Sequence, residues 1–172
     1  PEPAFTNTSV CFGNPTVFAD ESSIVSGNIA NYAWDFGDGS GSSNQPSPSY
    51  TYDPADFYDV TLTLTSDNGS VEEITQQIEV YPLPQVAFSA DEPVGCQPHR
   101  VQFTDESTIA QGYTNVQYQW DLGNGTTTQQ YPLQPYPMDG TYDVQLIVTS
   151  NEGCVDSLTQ TDFITVYPKP KA

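Results

Sequence analysis

Basic side chains are almost missing from this sequence: Arg100, Lys169 and Lys171 are its only Arg or Lys, and His99 is its only histidine. Nucleic acids and anionic membrane surfaces are bound through Lys and Arg, so neither is expected as a partner. Catalysis loses its usual tools as well, because general-base and Schiff-base chemistry draw on His and Lys. No apolar run approaches the ~20 residues of a membrane span, which argues against direct membrane insertion, and no window keeps a helical period. There is neither a Met start nor a signal peptide, so the chain is expected to be part of a longer polypeptide.

The 22 acidic residues therefore stand nearly unopposed and give a formal charge of -19. Such a surface favours solubility and association with cations. The acids do not read as catalytic pairs. Neighbours such as Asp20-Glu21 and Glu72-Glu73 would point to opposite faces of a strand, not together across a glycosidic bond. Asp35-Phe36-Gly37 spells a kinase triplet, but the Gly-rich loop, strand lysine and catalytic loop that give it meaning are missing.

The apolar residues come in short alternating runs separated by Gly, Pro, Asn and Asp, a composition that predicts an all-β chain. Tyr32-Ala33-Trp34-Asp35-Phe36-Gly37-Asp38-Gly39 reads as a half-buried strand feeding a tight turn, with Tyr32, Trp34 and Phe36 on one face. It returns as Tyr118-Gln119-Trp120-Asp121-Leu122-Gly123-Asn124-Gly125. The chain is thus a tandem repeat, with one domain expected over residues 1–82 and a second over 83–172. Phe18 corresponds to Phe103. Tyr58-Asp59-Val60 and Tyr142-Asp143-Val144 each open an alternating strand, with Val60, Leu62 and Leu64 inward in one and Val144, Leu146 and Val148 in the other. The last strands are expected from Ile74 to Tyr81 and from Leu158 to Tyr167, the second with two extra residues, an even number that preserves the inward face. After the Asp38-Gly39 turn comes a polar, proline-marked loop from Ser40 to Pro48, and its equivalent in the second repeat is expected to be two residues shorter.

The string Trp-Asp-Phe-Gly-Asp-Gly resembles the signature of PKD domains, which are immunoglobulin-like modules. The resemblance implies two tandem immunoglobulin-like β-sandwiches, with Trp34 and Trp120 buried between sheets and Asp35, Gly37, Asp38, Gly39, Asp121, Gly123 and Gly125 serving the turns. Asp139-Gly140-Thr141-Tyr142 is similar to the tyrosine corner of such sandwiches; around Tyr58 the pattern departs, with Asp56-Phe57 where Gly140-Thr141 stand. Some PKD domains bind calcium, typically through an Asp-x-Asp-Gly stretch before the Trp strand. Here that place holds Ser22-Ser23-Ile24-Val25-Ser26-Gly27 and Ser107-Thr108-Ile109-Ala110-Gln111-Gly112, so no cofactor is expected, with calcium kept as an open alternative.

Three cysteines remain. The expected bridge joins Cys96 to Cys154 within the second repeat and leaves Cys11, the counterpart of Cys96, as the odd thiol; three reduced buried thiols are the alternative. A bridge implies an oxidising, extracellular or cell-surface setting. Tyr50, Tyr52, Tyr131 and Tyr136 lie in or beside loops where a ring could stack on a sugar, although tyrosine also suits a half-buried pleated surface. Asn7-Thr8-Ser9, Asn68-Gly69-Ser70 and Asn124-Gly125-Thr126 match the N-glycosylation triplet, which arises by chance in a Thr-, Ser- and Asn-rich chain. Tyr81-Pro82-Leu83-Pro84 reads as a stiff connector, and Tyr167-Pro168-Lys169-Pro170 repeats its form. Cys-bearing repeats ending in Tyr-Pro resemble surface proteins of the Bacteroidetes. The role this implies is non-catalytic: a spacer, stalk or adhesion module of a larger secreted or surface protein, with flanking domains, and a polysaccharide or surface protein, as candidate partners. A carbohydrate- or protein-binding module accessory to a secreted hydrolase is the alternative.

Overall fold

A period of two separates Trp34 from its neighbours, and the fold uses that separation. In the computed structural model, which describes residues 1–170, Trp34 is 2% exposed while Ala33 and Asp35 on either side face solvent. Trp120 repeats the pattern between exposed Gln119 and Asp121. Every regular element among the described residues is a strand. The chain divides into two compact units, Pro1–Pro82 and the residues from Leu83 onward.

The first unit contains β1 (Phe5–Asn7), β2 (Val10–Cys11), β3 (Thr16–Asp20), β4 (Ile29–Asp35), β5 (Ser42–Ser43), β6 (Ser49–Tyr50), β7 (Phe57–Ser66) and β8 (Val71–Tyr81). They form a three-stranded sheet, β1-β3-β6, and a five-stranded sheet, β2-β8-β7-β4-β5. The second unit repeats this with β9 (Phe88–Ala90), β10 (Val94–Cys96), β11 (His99–Asp105), β12 (Asn115–Asp121), β13 (Thr126–Thr127), β14 (Leu133–Tyr136), β15 (Gly140–Ser150) and β16 (Val155–Tyr167). Its sheets are β9-β11-β14 and β10-β16-β15-β12-β13. All pairings are antiparallel except β2 with β8 and β10 with β16. Both last strands start three residues before the expected Ile74 and Leu158, because each hairpin pairs almost to its turn.

Each core lies between the two sheets of its own unit. Val60, Leu62 and Leu64 of β7, and Val144, Leu146 and Val148 of β15, are fully buried. They face a cluster of rings: Phe5 and Phe18 lie 5.0 and 5.3 Å from Trp34, and Phe88 and Phe103 lie 5.2 and 5.6 Å from Trp120, measured between centroids. Edge-on and tilted aromatic pairs at such spacings contribute about 0.5–1.5 kcal/mol each beyond burial.

The two extra residues of β16 form a bulge. Tyr142 pairs with Ile164 and Val144 with Gln160, so Thr161, Asp162 and Phe163 together oppose Asp143. Asp162 takes φ +51° and its N–H donates to the Asp143 carboxylate at 2.7 Å. Because the insertion is even, Ile164 and Val166 stay inward like Ile78 and Val80, and Phe163 gains a contact with Phe88 at 5.4 Å. The shorter loop lies elsewhere than the sequence alignment puts it. The Phe36 N–H donates to the Gly41 carbonyl as the Leu122 N–H does to that of Gly125. Gly125 is therefore the counterpart of Gly41, and Asp38-Gly39-Ser40 shrinks to Asn124 alone.

The expected Cys96–Cys154 bridge does not form. Cys96 ends β10 opposite Tyr167, the last residue of β16, whereas Cys154 immediately precedes its first residue. A 13-residue strand rising ~3.3 Å per residue keeps them ~40 Å apart, and a cystine needs its Cα atoms within ~7 Å. Cys96 is an exposed free thiol, and Cys11, expected to be free, is disulfide-bonded, as is Cys154. Cys11 and Cys96 are equivalent in position: each pairs in parallel with the last tyrosine of its unit, Tyr81 or Tyr167.

Candidate functional site

The repeated signature turns out to be turn chemistry. The Asp35 carboxylate accepts the Gly37 N–H at 2.9 Å and the Asp121 carboxylate accepts that of Gly123 at 3.0 Å, an Asx turn in each unit. Gly37 and Gly123 both take φ +78°, and a Cβ at either would strike the main chain of the neighbouring long strand, at Asp59 or Asp143. No other residue combines that φ with that clearance.

Asp38 is the most heavily used carboxylate. It accepts the N–H groups of Ser40 and Gly41 at 2.9 and 2.7 Å and the hydroxyl of Tyr50. The Tyr50 hydroxyl first, then those amides, hold its carboxyl at about 2, well below the usual range. Gly39 takes φ +81° in open space, which marks it as a turn residue only. Asn124 fills the place of Asp38 with neutral chemistry, donating to the Pro135 carbonyl at 2.9 Å and accepting from the Gln134 amide at 2.7 Å.

Both units build a tyrosine corner. Tyr142 donates to the Met138 carbonyl at 3.0 Å, and Tyr58 donates to the Pro54 carbonyl, four residues upstream in each case. The Asp56-Phe57 departure is harmless because the acceptor is main chain.

The loop tyrosines mostly point inward. Tyr52 and Tyr136 are buried, which raises both hydroxyl pKa values, and Tyr50 stacks on Phe36 at 4.2 Å; Tyr131 is 55% exposed. Asn68 has its side-chain oxygen occupied by the Ser66 hydroxyl and the Ser70 N–H. His99 is buried with Nε2 2.7 Å from the Glu92 carbonyl. Among the described residues, no group of three or more His, Cys, Asp or Glu side chains is placed to hold a metal.

Surface depressions among the described residues include three that bear on function. One, of about 320 Å³, is lined by uncharged residues of the second unit, including Val116, Gln117, Gln119, Thr128, Ile147 and Thr149. One of about 240 Å³ lies among Ser23, Ile24, Ser26, Ser66 and Asn68, and one of about 190 Å³ beside Asp121 and Asp143. Gln130, which anchors polar contacts in the second unit, carries no motif by which a sequence reading could have found it, and Tyr50, expected as a ring for a sugar, instead bonds Asp38 in the first.

A model of the PKD domain matches residues 1–81 and again 82–166. Pre-pro-metalloprotease PrtV of Vibrio cholerae is 34% identical over 139 residues, 80% of this chain and 15% of that protein. Collagenase ColA of Clostridium perfringens is 38% identical over 60 residues, 35% of this chain and 5% of the collagenase. The chain thus spans a small fraction of the length of these relatives. The crystal structure of the PKD1 domain of PrtV covers 46% of this chain and 95% of its own, at 35% identity and TM-score 0.44.

Proposed function

Because the chain belongs to the PKD domain family across both of its repeats, we propose that its two domains are non-catalytic modules of a larger secreted or cell-surface protein, serving as spacer, stalk or adhesion modules. The observation that carries this reading is where the signature side chains go: Trp34, Asp35, Gly37, Tyr58 and their counterparts are absorbed in cores and turns. A module built in this way contributes shape and stability to its parent protein. The disulfide-bonded Cys11 and Cys154 support an oxidising, extracytoplasmic location. Pro82 and Pro84 in the connector support a restrained joint. Small-angle scattering of the chain tests the spacer role: a maximum dimension near the sum of two domain lengths is expected, and a compact particle would count against it.

A second reading, a carbohydrate- or protein-binding module accessory to a secreted hydrolase, is favoured by the metalloprotease relative and by the uncharged groove of the second domain. Glycan-array binding lost on replacing Tyr131 would select a carbohydrate ligand.

A further inference from the structure

The uncharged groove of the second domain coincides with an interruption in its sheet. Strand β13 pairs with β12 only at Trp120 and Asp121, after which Thr128 leads the chain away. Residues 117–119 of β12 therefore have a strand neighbour only on the β15 side, and Val116 before them is the extra residue of a β-bulge, unpaired on both sides. In an antiparallel edge strand, alternate residues turn N–H and C=O outward with no partner. The open stretch is four residues, ~13 Å at ~3.3 Å per residue, and the groove runs along it. Its outer wall is made by the cross-strand pairs Gln119–Ile147 and Gln117–Thr149, with Val116 half-exposed at one end.

We propose that this groove is a docking site for an extended peptide that continues β13, adding main-chain hydrogen bonds to β12 and setting an apolar side chain against Ile147 and Val116. The peptide is basic and lacks acidic residues, as charge complementarity requires. The lining contains no charge, so the ligand backbone meets no buried ion, while the protein around it carries -19 and draws cationic segments in. The same field opposes a second copy of this chain in the groove. The first domain has the same interruption, since β5 pairs with β4 only at Trp34 and Asp35, but its corresponding pairs are Ala33–Thr63 and Asn31–Thr65. Short side chains there build no wall of comparable depth. The inference goes beyond the spacer reading and does not depend on it.

The test uses the whole chain, labelled with 15N, and an end-blocked octapeptide alternating Lys and Val. Its amide spectrum should shift at residues 115–119 and Thr128, with much smaller change at residues 29–33. N-methylation of alternate peptide bonds, which leaves the charge intact, should abolish the shifts. Ile147→Lys should weaken binding by about tenfold or more through like-charge repulsion, and Gln119→Lys, at an exposed position, repeats the check should the first variant fold poorly. Shifts that survive N-methylation, or that appear equally in both domains, would reduce the effect to unspecific attraction and overturn the site. So would a peptide that leaves these amides unmoved at millimolar concentration, or cellohexaose moving them in its place.

Discussion

The two domains repeat their apolar faces almost residue for residue yet distribute their polar contacts in opposite ways. In the first, the Trp34 indole N–H donates to the Gln45 carbonyl at 2.9 Å while the buried Tyr52 hydroxyl has no partner. In the second, the Tyr136 hydroxyl donates to the Leu122 carbonyl at 2.9 Å while the Trp120 N–H has none. The tyrosine beside each tryptophan shows a similar exchange. Tyr32 donates directly to Asp20 at 2.9 Å; Tyr118 and Asp105 are instead both bonded by the Gln130 amide at 2.9 Å. A sandwich core thus constrains which side chains are large and inward, whereas the segments flanking β5 and β13 decide which of their polar atoms are satisfied, Gln45 and Gln130 following those strands and Leu122 preceding β13.

The largest expected effects test what the domains share. Trp34→Ala and Trp120→Ala should each destabilise their own domain by about 3–5 kcal/mol. Calorimetry should show one transition lost or strongly lowered and the other retained; loss of both together would mean the repeats do not fold as separate units. Next come the two signature glycines. Gly37→Ala and Gly123→Ala each combine positive φ with a main-chain clash, for a loss of about 1–3 kcal/mol measured by urea unfolding. An Ala variant as stable as the parent would remove the turn from its assigned role.

Smaller effects should separate the domains. Trp34→Phe gives up a hydrogen bond and Trp120→Phe does not, so the first should cost about 1 kcal/mol more than the second. For the tyrosines the order reverses: Tyr136→Phe should be costly and Tyr52→Phe neutral or stabilising. Matching costs within either pair would show that the unpaired atoms find partners in solution.

The smallest effect is electrostatic. The Asp38 carboxyl is depressed in the fold, so its contribution is fully present above the ordinary carboxylate pKa and is lost as pH falls through the folded value of about 2. Between pH 4 and 2 the first domain should lose stability through this group, and Asp38→Asn should flatten that part of its profile. Asn124 stands at the same place in the second domain and does not titrate. The domains also differ in total charge: the first 82 residues hold twelve acidic and no basic side chains, and the remainder hold ten acidic and three basic. Added salt should therefore stabilise the first domain more.

How much of this was legible beforehand follows from range. Alternation in Ile29–Asp35 and Phe57–Ser66 reports burial because side chains two apart share a face. The Asp35–Gly37 and Asp121–Gly123 turns are equally local, each a bond between residues two apart. Gly125 was paired with Gly39 because matching strings cannot locate a deletion inside a loop; the carbonyl that closes that loop identifies Gly41 instead.

What the sequence by itself determined is the all-β repeat, the inward rings of Tyr32, Trp34 and Phe36, and the near absence of cationic chemistry, since each depends on neighbours in the chain or on composition alone. The tertiary structure alone decided which cysteines are oxidised, how Gln130 joins Tyr118 to Asp105, where the bulge at Asp162 falls and which stretch of β12 stays open. These are properties of strand register and of how far each strand runs. Cys96 and Cys154 show the reason: one pairs with the last residue of β16 and the other immediately precedes its first, and the length of that strand in the extended conformation keeps them at opposite ends of their domain.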